Sequence, residues 1–107
     1  MSECISLEMF GISSDGKCAT CRISILSPEK HGEDYVCNAT IGGLDETMTF
    51  PGYGVDPIQS LIMAIACVFS SVKQYEDDGW QFFLSDDRNE NTRYSSCVWR
   101  DTFRGLF

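Results

Sequence analysis

The sequence predicts an α+β domain, an antiparallel β-meander of about five strands with one long central helix packed on a face. Three observations lead to this prediction. Segments of alternating apolar and polar residues, typical of half-buried strands, recur through the first fifty residues. A helical pattern with start and stop signals follows, and one more alternating segment comes after it. Strands followed by a helix and a further strand place one helix across an antiparallel sheet.

Each strand is predicted from residues that alternate toward one face of the sheet. The inward-facing sets are Ile5, Leu7 and Met9; Ala19, Cys21, Ile23 and Ile25; Tyr35, Cys37, Ala39 and Ile41; Met48 and Phe50; and Trp80, Phe82 and Leu84. Breaks rich in Gly, Pro and charge predict a turn at 13–16, a loop over 27–34, a turn at 42–45 and a loop over 85–92. We attribute Gly52 and Gly54 to turn geometry before the helix.

The helix is predicted over residues 56–75. Asp56 is a good N-cap, Pro57 suits the first helical position, and Gln59 completes a capping-box pattern. The apolar residues at helical spacing are Ile58, Leu61, Ile62, Ile65, Val68, Phe69, Val72 and Tyr75. Since other sides of the helix are apolar too, we expect two covers: the sheet, and a C-terminal segment (residues 94–107) that packs back.

Composition predicts a single soluble domain spanning residues 1–107. A hydrophobic content of 43% suits a chain that buries a core. The start Met1–Glu3 is acidic, unlike a signal peptide, and the longest apolar run has only nine residues (Leu61–Phe69). We therefore expect a cytoplasmic location and reduced thiols for most of the six cysteines.

The charge is strongly acidic, with 16 acids against 8 bases and a net charge of −8. The acids concentrate in residues 1–87, which contain 14 acids and 4 bases, whereas residues 88–107 contain 4 arginines and 2 acids. A negative field repels nucleic acid and anionic lipid and attracts a basic partner. Simple solubility is the alternative explanation.

No motif indicates catalysis, a cofactor or a metal. Cys18 and Cys21 form a CxxC pair, but a second ligand pair of similar spacing is missing, and residues three apart on a strand point to opposite faces. His31 is the only histidine and lies in a charged loop. We therefore predict a protein that is not an enzyme and that has neither cofactor nor metal. A small hydrolase using Asp86 and Asp87 is a remaining alternative.

Two groups of carboxylates bracket the last predicted strand. Glu76, Asp77 and Asp78 end the helix, and the other group is Asp86, Asp87 and Glu90. Acids at a helix C-terminus oppose the helix dipole by a few tenths of a kcal/mol or more. That cost suggests another role, such as a partner surface, although solvated loops are an alternative explanation.

The segment GYGVDPIQSLIMAIACVFSSV, followed by a tryptophan strand, resembles a family of small uncharacterised bacterial proteins. In that family a Gly-Val-Asp turn leads into a helix that begins with a glutamine. The likeness is specific over residues 54–80, and it implies no catalytic residues. By small size, acidity, reduced cysteines and lack of catalytic motifs, the chain is also similar in type to immunity proteins of contact-dependent growth inhibition and polymorphic toxin systems.

This similarity of type leads to a functional hypothesis. It implies a protein that blocks the active site of a cognate toxin domain, a basic nuclease in the leading version, through an acidic surface that mimics nucleic-acid phosphates. The expected partner contacts are Glu76, Asp77, Asp78, Asp86, Asp87 and Glu90. The alternative is a non-enzymatic oligomeric or regulatory module that pairs through a sheet edge or the aromatic C-terminus.

Overall fold

A computed structural model describes residues 3–96, with side chains from residue 5 onward. One long helix packs on an antiparallel sheet, so the predicted α+β class is confirmed. The elements in chain order are β1 (Glu3–Ile12), β2 (Cys18–Leu26), β3 (Glu29–His31), β4 (Asp34–Gly42), β5 (Met48–Gly54), α1 (Pro57–Asp77), β6 (Gln81–Phe83), a 3₁₀ turn (Glu90–Thr92) and β7 (Arg93–Tyr94).

Within residues 3–96 the sheet has seven strands, in the order β3-β4-β2-β1-β6-β7, with β5 also paired to β4. The antiparallel pairs β1–β2, β2–β4 and β4–β5 form the predicted meander. After β5, α1 returns the chain to β6, which pairs antiparallel with the end of β1 at Phe10–Ile12. The meander is therefore closed by a strand from beyond the helix.

Two short strands, β3 and β7, are not predicted from the sequence. Residues 27–34 are predicted as a loop, and this is wrong for Glu29–His31, which pair with Asp34–Val36 as β3. All three β3 residues are exposed, so no apolar alternation marks them in the sequence. Arg93 and Tyr94 pair with β6 as β7. The expected packing of the C-terminal segment concerns mainly residues 97–107, which lie outside the described residues.

The core lies between the helix and the inner face of the sheet. The predicted inward-facing residues are opposite one another across strands, as in the pairs Met9–Cys21 and Ala39–Phe50. The buried cluster comprises Met9, Cys21, Ile23, Ile25, Cys37, Ala39, Ile41, Leu44, Ala64, Val68, Val72 and Phe82. Eight of these twelve residues are strand positions that the alternation places inward, and Val68 and Val72 belong to the predicted helical stripe, so the predicted faces are confirmed in the middle of the strands. The prediction is wrong for Ile5 and Leu84, which are 49% and 48% exposed.

The helix touches the sheet most closely at two glycines. Gly52 and Gly54 belong to β5, so their attribution to a turn before the helix is wrong. A Cβ atom on Gly52 would lie 2.3 Å from the Ala64 nitrogen and 2.5 Å from the Ser60 carbonyl oxygen. The absence of a side chain on β5 therefore allows direct backbone contact between strand and helix.

This close approach decides which face of α1 is buried. Its buried residues are Ser60, Ala64, Val68 and Val72, two of which are small. Ile58, part of the predicted apolar stripe, is 70% exposed, and Met63 is 46% exposed. The expectation that α1 is covered on two sides is therefore wrong at these positions.

The helix start forms almost as predicted. The Gln59 backbone N–H donates to the Asp56 carboxylate (2.8 Å), and the Gln59 side-chain oxygen accepts from the Val55 N–H (2.7 Å). The reciprocal bond of the capping box is thus made one residue earlier than usual.

By length and composition alone, α1 is also apolar enough to cross a bilayer, with a mean hydropathy of 1.2. Core helices of soluble proteins meet the same criterion.

Candidate functional site

The end of α1 is strongly negative. The Asp78 backbone N–H donates to the Gln74 and Tyr75 carbonyls at 3.0 and 3.1 Å, and Gly79 has a φ of +105° that lets the chain turn toward β6. No basic residue lies in the last turn of α1 to offset the negative end of the helix dipole. Asp78 adds a full charge at this point.

Two of the three acids at this end have partners within the chain. The half-buried Glu76 carboxylate accepts hydrogen bonds from both the backbone N–H (3.1 Å) and the hydroxyl of Ser96. Asp77 forms an exposed ion pair with Lys73 at 3.1 Å. Glu76 therefore holds the chain that follows β7 against α1, and Asp78 is the acid of this group with no ion pair among residues 3–96.

The second predicted group lies in the segment between β6 and β7. The Asp87 carboxylate accepts from the Asn89 N–H at 2.9 Å, and Glu90 pairs with Arg93 at 3.2 Å. The Arg88 side chain donates to the Asp86 carbonyl (3.0 Å) and to the Gly11 carbonyl (3.1 Å), which ties this segment to β1. The side chains of Asp86 and Asp87 are exposed to solvent.

The six predicted acids form two groups rather than one cluster. Asp78 precedes β6 and Asp86 follows it, so the groups lie at opposite ends of that strand, as the sequence predicts. Glu76 and Asp77 are consecutive on α1 and therefore point about 100° apart. Their common role as partner contacts stays a prediction.

The structure adds a cleft that the sequence does not reveal. A cavity of about 340 Å³ lies between α1 and the β4–β5 connection, lined by Asp45, Met48, Phe50, Ser71, Gln74, Tyr75 and Asp78. The Tyr75 hydroxyl donates to the Asp45 carboxylate at 3.5 Å. Burial raises the pKa of Tyr75, and the negative charge of Asp45 raises that pKa further. Asp78 thus shares a cleft with a second acid from a distant part of the chain.

The β4–β5 connection that presents Asp45 is tightly anchored. Gly43 has a φ of +98°, and a Cβ atom there would lie 1.8 Å from the Thr20 carbonyl oxygen. The next residue, Leu44, is buried in the core. A glycine turn followed by one buried leucine therefore fixes where Asp45 stands. The sequence predicts the turn, but it contains no signal for the contact with α1.

The CxxC pair is divided between the two faces of the sheet, as predicted. Cys18 is exposed and Cys21 is fully buried. Burial raises the pKa of the Cys21 thiol to about 11, which disfavours the thiolate needed for metal binding or nucleophilic attack. Among residues 3–96 no group of three or more His, Cys, Asp or Glu side chains has the arrangement of a metal site.

An apolar corner lies at the opposite end of α1. Tyr53, Val55 and Ile58 are 64%, 71% and 70% exposed where β5 passes into the helix. Among the described residues β5 pairs only with β4, so its other edge is open. This corner differs from the acidic end in both charge and hydropathy.

Comparison with known proteins indicates the family of the chain but not its function. No curated protein and no solved structure is significantly similar to the chain. A family model described as a domain of unknown function, DUF6968, matches residues 9–87. The match extends from β1 to Asp87, and it includes α1 and the cleft at its end. Because it covers most of the sequence, the chain belongs to the DUF6968 family.

Proposed function

We propose that this chain is a cytoplasmic immunity protein, which binds a cognate toxin domain and blocks its active site. The observation that supports the proposal best is the negative charge of Asp78 at the end of α1, which has no ion pair among residues 3–96, in a chain of net charge −8. The leading toxin class is a basic nuclease, whose phosphate-binding residues the carboxylates would engage. The protein itself acts without catalysis or cofactor.

Electrostatics gives this binding its rate and its choice of partner. A concentrated negative field steers a basic partner toward the surface and raises the association rate. Asp78, Asp86 and Asp87 are the best contacts, because they are exposed and have no ion pair among residues 3–96. Asp77 and Glu90 would exchange their intramolecular partners for those of the toxin. Glu76 contributes less, since it holds Ser96.

The test is protection of cells from a toxin. Candidate toxin domains are sought among the products of neighbouring genes, and each is co-expressed with this chain while survival is measured. We expect protection by the wild type, and loss of protection when all six predicted acids are changed to their amides. A variant with Glu29, Glu33 and Asp34 changed to amides is the control, since these exposed acids lie in and beside β3. Full protection by the six-site variant would refute the assigned surface.

The alternative, a self-associating interaction module, is favoured by the apolar corner at the start of α1. Tyr53, Val55 and Ile58 are the exposed apolar residues beside the open edge of β5, and such edges pair readily. Light scattering coupled to gel filtration tests this alternative. A stable dimer that Ile58→Ser converts to a monomer would support it, whereas a monomeric wild type would refute it.

A further inference from the structure

We propose that the cleft between the β4–β5 connection and the end of α1 is a binding site for one basic side chain, an arginine or a lysine, of the protein partner. This inference rests on the proposed function for the identity of the partner. The preference for a cation depends only on the residues that line the cleft. Its lining combines two carboxylates, a phenol and two apolar side chains around a single cavity, whose volume is about 340 Å³.

The negative charge of the cleft favours binding of a cation. Asp45 and Asp78 come from two different elements and both line the cavity, and neither has an ion pair among residues 3–96. The C-terminal end of α1 adds the negative pole of the helix dipole. A cation bound here would relieve the repulsion between these groups, whereas an anion would increase it.

The walls of the cleft favour an organic cation. Met48 and Phe50 provide apolar surface on β5, and Tyr75 provides an aromatic ring. These groups suit the aliphatic stem of a lysine or arginine, whose charged end would reach the carboxylates. The volume lies near the small end of the ~300–1,000 Å³ typical of ligand pockets, which suits a side chain better than a nucleotide.

The cleft is formed before any ligand arrives. Gly43 packs against the Thr20 carbonyl and Leu44 is buried, so the wall that presents Asp45 is fixed to the sheet. On the other side, the N–H of Asp78 is bonded to carbonyls of the last helical turn. Such preorganisation lowers the entropic cost of binding.

The experiment is an NMR titration of the full chain with three small probes. These are the Nα-acetyl methylamides of arginine, of lysine and of citrulline, the last being the uncharged analogue of arginine. We expect saturable amide shifts for the cationic probes, confined to residues 45–50 and 71–79. Because citrulline lacks the positive charge that the two carboxylates attract, it should bind at least about tenfold more weakly than arginine. Whichever cation binds more tightly identifies the preferred partner residue.

Variants separate the cleft from general negative charge. Asp45→Asn with Asp78→Asn should weaken arginine binding at least about tenfold, whereas Asp86→Asn with Asp87→Asn should change it less than about twofold. Ser71→Lys, which places a cation in the cleft, should abolish binding without removing either acid. Equal losses from the two double variants, or shifts spread over all acids, would overturn the proposal, as would the absence of saturable binding.

These outcomes are distinct from failure of the immunity function. The probe titration contains no toxin, so a cleft that binds arginine survives even if no toxin is neutralised. Conversely, toxin protection that is unchanged in the Asp45→Asn, Asp78→Asn variant would exclude this cleft as a partner site. That second result would leave the immunity function intact.

Discussion

Replacing Gly52 by alanine should destabilise the fold at the contact between β5 and α1. The new Cβ atom would lie 2.3 Å from the Ala64 nitrogen and 2.5 Å from the Ser60 carbonyl oxygen. Both obstacles are backbone atoms, so no side-chain rotation can relieve the overlap. The helix would have to retreat by about 1 Å, and the close packing around Ala64 and Val68 would loosen.

The magnitude follows from this geometry. Overpacking a well-packed core costs roughly 1–3 kcal/mol, and a backbone obstacle places Gly52→Ala at the upper end. At about 4–8 °C per kcal/mol for a domain of this size, the melting temperature should fall by about 10–20 °C. Thermal unfolding followed by circular dichroism measures the change.

A matched control is available one strand away. At Gly42 of β4 an added Cβ would meet its nearest atom, the Thr47 hydroxyl oxygen, at 3.4 Å. Gly42→Ala should therefore change stability by no more than about 1 kcal/mol, in either direction. Equal melting temperatures for the two variants would refute the claim that α1 rests directly on the backbone of β5.

Three further predictions concern Glu76 and the cysteines. Glu76→Ala should reduce the free energy of unfolding by about 1–2 kcal/mol because Ser96 loses a charged acceptor, whereas Asp77→Ala should reduce it by less than about 0.5 kcal/mol. Denaturant melts of the two variants measure these losses, and equal losses would contradict the role of Glu76 in holding Ser96. Peptide-level alkylation at neutral pH should modify exposed Cys18 at least about tenfold faster than Cys21, which is fully buried and whose pKa is raised by that burial, and similar rates would show that Cys21 is accessible. Since the pKa of Cys21 is raised from 9.0 to about 11, folding keeps this thiol protonated; the resulting stabilisation, up to about 3 kcal/mol, is present below pH 9 and lost as pH rises to 11. Cys21→Ala should therefore make the free energy of unfolding less dependent on pH between about pH 9 and pH 11. An unchanged pH dependence would show that Cys21 is not its cause.

The fold class could be predicted because its signals are local. Alternation identifies the inward faces of β2 and β4, and the Asp56 cap identifies the start of α1. β3 could not be predicted, because its three exposed residues are strand-like only through pairing with β4. The apolar pattern of a segment does not indicate such pairing with another strand.

The buried face of α1 shows a second limit of sequence patterns. Hydropathy gives weight to large residues such as Ile58, but Ser60 and Ala64 face the sheet, because Gly52 allows the backbones to approach. Which face is buried thus depends on a residue from another element. A pattern confined to the helix contains no information about it.

The candidate site could be predicted only where its signals are local. Asp78 is recognisable in the sequence, because an acid at a helix end opposes the dipole. Asp45 could not be paired with it, since the two lie 33 positions apart in the chain and only the tertiary fold brings them to one cleft. The position of Asp45 depends on the Gly43 turn and on the burial of Leu44.

The most direct test is the affinity of the purified chain for a candidate basic toxin domain, sought among the products of neighbouring genes and measured by calorimetry for the wild type and for Asp45→Asn with Asp78→Asn. We predict tight binding by the wild type and a loss of at least about tenfold in the variant. Binding should also weaken as salt is added, because the attraction is electrostatic. An affinity that is unchanged by both the substitutions and salt would contradict the claim that the acidic end of α1 binds a basic partner.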